Sequence, residues 1–107
     1  MVNVVIYLKK EQNAIELVKY LLTEKLIASA SIDENNVSYK LGDNGFQEQV
    51  YSVITAQSKA ILFLDIVRVV EAKTGIETPI NSVPIVGSNK VFDESIRSTT
   101  TPIQKKD

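Results

Sequence analysis

Gly42-Asp43-Asn44-Gly45 separates two stretches rich in strand-forming residues, and it is the feature that most restricts this chain. Asn-Gly accepts the positive φ angles of a tight turn, so the flanking stretches are expected to fold back as an antiparallel hairpin. The incoming stretch, Leu26 to Ile32, is interrupted by Asp33-Glu34-Asn35-Asn36 and resumes at Val37 to Leu41. Four such polar residues within a strand predict turn chemistry or a bulge. The outgoing strand runs from Phe46 to Gln57, with Val50, Ser52, Ile54 and Ala56 alternating against Tyr51, Val53 and Thr55.

The remaining elements bracket this hairpin. Val2 to Leu8 is a continuous apolar run of strand length, which predicts burial on both faces. From Glu11 to Lys25 the residues Ala14, Ile15, Leu17, Val18, Leu21 and Leu22 recur at helical spacing, with Glu16, Lys19, Thr23 and Glu24 opposite. Ser58 is expected to cap a second helix carrying Ala60, Ile61, Leu64, Val67 and Val70 and stopping at Thr74-Gly75. Ile80 to Val86 reads as a short strand whose Pro84 restricts it to an edge. Val91 to Ser98 reads as a short helix, capped by Ser88 or Asp93. From Thr99 onward a frayed polar tail is expected.

The order β-α-β-β-α-β plus a final helix is the α+β ferredoxin-like arrangement, a sandwich of one antiparallel sheet with helices on one face. At 107 residues the chain suits one domain, assigned to 1–100, with the tail at 101–107. Tyr7, Tyr39, Tyr51 and Val53 are expected on the other sheet face, too apolar a set to stay wet. Neighbouring copies are the economical cover.

Several functions are disfavoured by composition. The formal charge of −1 supplies no global field for nucleic acid or acidic membrane, and no apolar run approaches a membrane span. There is no cysteine and no histidine. Zinc and copper sites and the usual catalytic triads are built on those side chains, so neither a soft-metal site nor an enzyme is expected, and no cofactor is implied. The lack of cysteine fits a reducing compartment, and the expected location is cytoplasmic. The carboxylates Asp33, Glu34, Asp43 and Glu48 are read as charges that keep the hairpin wet, because no calcium-loop spacing is present.

Glu24-Lys25-Leu26-Ile27-Ala28-Ser29-Ala30-Ser31-Ile32 resembles the Glu-Lys/Arg-Leu-Ala-Ala-Cys-x-x-Ile signature of CutA, the divalent-cation tolerance proteins. Tyr39-Lys40-Leu41-Gly42 is similar to that family's Tyr-x-Trp-x-Gly. Glu77-Thr78-Pro79-Ile80 with Val83-Pro84-Ile85 is similar to its Tyr-x-x-Pro-Glu-x-x-x-x-Pro-Val region, so the likeness covers nearly the whole chain. The resemblance implies a ferredoxin-like homotrimer, related in architecture to the PII-type signalling proteins, that serves in the response to divalent metal ions. The chain departs from the family at Ser29, where the cysteine falls, and at Leu41, where the tryptophan falls. Thr74-Gly75-Ile76 stands in place of its His-Pro-Tyr, while Glu48 matches an acidic position. With the family's candidate copper ligands replaced, fold and assembly carry over and the metal role does not.

The residues nearest the predicted strand ends, Tyr39, Lys40, Gln57, Lys59, Glu77 and Arg97, are candidates to border a cleft between subunits. Ser88, Asn89 and Lys90, after Gly87, offer an anion seat of backbone N–H groups, a hydroxyl and an ammonium. The plainer reading of both sets is interface hydrogen bonding and turn chemistry. The expectation is a homotrimer that binds or signals, with a small anionic ligand or a protein as partner. The alternative is a PII-like sensor of an anionic metabolite or nucleotide at the subunit interface. An enzyme of the dimeric ferredoxin-like barrel class is disfavoured by the missing histidine.

Overall fold

A computed structural model describes residues 1–102; the end of the predicted tail, 103–107, lies outside the described residues. The chain runs β1 (Val2–Lys9), α1 (Ala14–Thr23), β2 (Ser29–Gly42), β3 (Gly45–Ser58), α2 (Phe63–Thr74), β4 (Ile80–Pro84) and α3 (Lys90–Thr99). The four strands form one antiparallel sheet in the order β2-β3-β1-β4, with β4 at an edge as Pro84 requires. This is the predicted ferredoxin-like α+β arrangement.

β1 alternates instead of burying both faces. Val2, Val4, Ile6 and Leu8 are buried among Leu17 and Leu21 of α1 and Ile66 and Val70 of α2, while Asn3, Val5 and Tyr7 are half-buried. The side-chain period of two applies even to a run this rich in apolar residues.

α1 is shorter than its periodic pattern. Asn13 is the N-cap, its Oδ1 accepting from the Glu16 N–H at 3.0 Å, so Glu11 to Asn13 precede the helix. The helix ends in a Schellman turn: the Lys25 N–H donates to the Leu22 carbonyl and the Leu26 N–H to that of Leu21. Lys25 takes the left-handed conformation there, with φ 57°. Ile15 and Leu22, assigned to the inner face, point outward and are about half exposed.

The entry to α2 differs more. Ser58 is not a cap: it is the last residue of β3, buried, with its hydroxyl donating to the Leu26 carbonyl at 2.5 Å. A 3₁₀ turn over Ala60–Leu62 leads into the helix. Leu62, Ile66 and Val70, spaced four apart, are buried while Ile61 and Leu64 are exposed. The predicted stop holds, with Gly75 at φ 106°.

The final helix is capped by Asn89, whose side chain accepts from the Phe92 N–H, and not by Ser88 or Asp93. Ile96 anchors it in the interior. Nor does the chain fray at Thr99. Thr100 is buried, and Thr101 donates to the Lys25 carbonyl through its N–H and its hydroxyl.

The hairpin is the dominant shape. A compact domain of this length has a radius of gyration of about 13 Å. Here it is 15.2 Å, with extents of 54 × 29 × 25 Å, because the distal parts of β2 and β3 project as an arm. At the tip Asp43 and Asn44 keep negative φ and the positive angle falls on Gly45, at 104°. The turn lies where the sequence placed it, and of Asn44-Gly45 the glycine alone supplies the positive φ.

Between Asp33 and Asn36 the register shifts, as the polar interruption predicted. The extra residue changes the parity of β2. Before it, Ala30 and Ile32 share a face with Ala56 and Ile54; after it, Val37, Tyr39 and Leu41 share that same face with Val50, Glu48 and Phe46. The apolar side chains of the arm therefore lie on the helix side of the sheet, past the ends of the helices. Tyr39, expected on the opposite face, is among them.

Candidate functional site

The residues singled out in the sequence do not converge within one chain. Tyr39 and Lys40 line a shallow hollow on the arm with Gln47, Glu48 and Tyr51. Gln57 lies on the helix-free face, where it joins a polar row: its Nε2 donates to Asn3 Oδ1 at 2.9 Å and its Oε1 accepts from the Ser29 hydroxyl at 2.6 Å. Lys59 and Arg97 line one open hollow, with Ile61 and Pro102 near the N-terminus. Lys59 there donates to the Thr101 carbonyl at 2.9 Å, and Arg97 pairs with Asp93 at 2.9 Å.

Ser88, Asn89 and Lys90 open α3. The Asn89 side chain occupies the Phe92 N–H, and Lys90 lies 3.8 Å from Glu94. Gly87 does not take a positive φ. The hairpin carboxylates are likewise dispersed: Asp33 accepts from the Asn35 N–H and the Asn36 side chain within the bulge, whereas Glu48 stands opposite Tyr39. Among the described residues no three acidic side chains come together in a manner that could hold a metal ion.

The helix-free face is less apolar than expected. Val53 is only 8% exposed, and Tyr7 and Tyr51 meet edge to face at 5.9 Å, but Asn3, Ser29, Ser31, Thr55 and Gln57 share that face. The least covered apolar surface is on the arm. Exposure climbs toward its tip, from 44% at Val37 through 68% at Tyr39 and 76% at Leu41 to 86% at Phe46.

The sequence did not point to a cleft of about 360 Å³ at the end of β1, between the sheet and the loop joining α2 to β4. The Tyr7 N–H donates to the Pro79 carbonyl at 3.0 Å and holds that loop against the sheet. Tyr7, Lys9 and Tyr51 form one wall, Glu77 the other, and Gln12 lies between α1 and α2. Of these only Glu77 was a candidate. Tyr7 read as a residue of the first strand, Lys9 fell just past that strand's predicted end, and Gln12 lay at the start of the predicted helix.

No protein-family model matches the chain, and no curated relative is found. Solved structures do match. The divalent cation tolerance protein (Cut A1) of Thermus thermophilus superposes with a TM-score of 0.83, covering 94% of this chain and all of that one, at 21% identity. CutA1 from Oryza sativa gives 0.84 at 18% identity, over 94% of this chain and 93% of the other. This chain has the CutA fold. The periplasmic divalent cation tolerance protein CutA of Archaeoglobus fulgidus matches at 0.81 and 22% identity, over 92% of this chain and 98% of that one. The CutA fold is thus spanned almost from end to end, arm included. Ser29, the position where the sequence resemblance places the CutA cysteine, donates its hydroxyl to Gln57 within the polar row.

Proposed function

We propose that this chain is a CutA-type protein of the divalent-cation response, assembled as a homotrimer and acting by binding or signalling rather than by catalysis. The arm carries the assembly part of this reading. Leu41 and Phe46 stand directly opposite one another near its tip, largely exposed, on the helix side of the sheet but past the ends of the helices. An extended, apolar strand pair of this kind is a surface for another chain, and copies of the same chain are the partner that CutA-type architecture suggests.

The cation-response part rests on the likeness to proteins described as divalent cation tolerance proteins. Non-catalytic action is read from the missing histidine and cysteine. A cytoplasmic location belongs to the same proposal. None of the helices among the described residues is long and apolar enough to cross a membrane, but the Archaeoglobus protein is described as periplasmic. Fractionation of cells expressing the tagged chain separates the two compartments.

Light scattering tests the assembly: three times the chain mass is expected at micromolar concentration, and a monomer refutes it. A second reading, a sensor of an anionic metabolite or nucleotide, draws on Lys59 and Arg97 lining one hollow. It predicts thermal stabilisation by nucleotides or carboxylates at millimolar concentration, and no shift with any of them dismisses it.

A further inference from the structure

We propose that the cleft at the end of β1 is a binding site for a free α-amino acid with an apolar side chain. Its volume of about 360 Å³ lies within the range of small-ligand sites.

Two opposite charges line it, Lys9 on β1 and Glu77 on the loop after α2, and neither forms an ion pair among the described residues. They share one cleft without meeting, which suits a dipolar ligand laid between them.

The Glu77 side of the cleft is built for an ammonium group. The C-terminal end of α2 opens there, and helix C-termini carry partial negative charge. Lys73, the basic residue of that last turn, does not neutralise it over the cleft, because its ammonium sits 3.9 Å from the centre of the Tyr20 ring. Gln12 also lines the cleft, its Nε2 donating to the Thr74 carbonyl at 2.8 Å.

The opposite side suits a carboxylate. Lys9 is the cross-strand partner of Tyr51 and lines the cleft with it, and the Tyr51 and Tyr7 hydroxyls make no hydrogen bond among the described residues. Between the two ends, Ile76, Pro79 and the tyrosine rings offer apolar surface for the ligand's side chain.

Every group comes from one chain, so the inference does not rest on the assembly proposed above. The test is isothermal titration of the full chain with L-leucine, with 3-methylbutylamine, which lacks the carboxylate, and with 4-methylpentanoate, which lacks the amine. Saturable binding of L-leucine, one per chain, is expected, with each half-ligand at least about tenfold weaker. Lys9 and Glu77 are exposed, so their substitution leaves the fold intact. Lys9→Met should weaken L-leucine about tenfold without changing the amine; Glu77→Gln should weaken L-leucine and the amine without changing the carboxylate. No heat with L-leucine up to about 10 mM overturns the proposal. So does a half-ligand that binds as tightly as L-leucine, which would mark a plain anion or cation site.

Discussion

Replacing Phe46 with alanine separates an arm that ends in water from one that ends against another chain. Within a single chain the substitution is nearly silent, because Phe46 is 86% exposed. What it forfeits there is the cross-strand pair with Leu41, worth about 0.2–1 kcal/mol. If each Phe46 is instead buried on a neighbour, truncation removes about 2 kcal/mol of apolar burial per chain. Summed over a three-fold assembly that is about 6 kcal/mol, or roughly four powers of ten in the trimer dissociation constant. The two cases are far enough apart for the sign of the result to decide. Light scattering and thermal unfolding are followed as the protein is diluted from about 10 μM to about 10 nM, since an assembly's apparent stability depends on concentration. The variant should lose mass at far higher concentration than the parent, and its melting point should acquire a concentration dependence over the working range. A Phe46→Ala protein with the parent's mass and melting curve at every dilution would refute the docking of the arm.

Three further outcomes follow from particular residues. Deleting Asn35 removes the extra residue of the bulge and turns Val37, Tyr39 and Leu41 to the opposite face, so assembly should fail; an unchanged sedimentation coefficient would contradict this. Lys25→Gly relieves a left-handed backbone at a non-glycine residue, and should stabilise the chain by about 1 kcal/mol in urea denaturation; a destabilised variant would show that the Lys25 side chain matters more than its φ. Calorimetric titration with copper and zinc should give at most weak, non-stoichiometric heats, since the chain has no cysteine or histidine and no acidic trio among the described residues. One tightly bound ion per chain would overturn that expectation.

Much of the fold was legible because its signals are local. The turn at Gly42–Gly45, the polar interruption at Asp33–Asn36, the glycine after Thr74 and the proline in β4 each act through the backbone of a few residues. The misassigned faces share one cause, which is phase. Apolar residues occur on both sides of α2, so spacing alone could not choose Leu62, Ile66 and Val70 over Ile61 and Leu64. Likewise, the interruption in β2 was visible, yet its consequence for Tyr39 depends on how many residues oppose Ser52.

From the chain alone came the order of elements, the hairpin with its irregular point, the edge placement of β4 and the lack of soft-metal ligands, all set by residue type and short-range geometry. The tertiary structure decided what depends on several segments at once: which helix face is buried, which way the arm presents its apolar side, and the gathering of Lys9, Gln12 and Glu77 around one cleft. Those three residues sit on β1, ahead of α1 and after α2, and no periodicity links them. Only the packing of the helices on the sheet brings the two charges and the Gln12 side chain around one cleft.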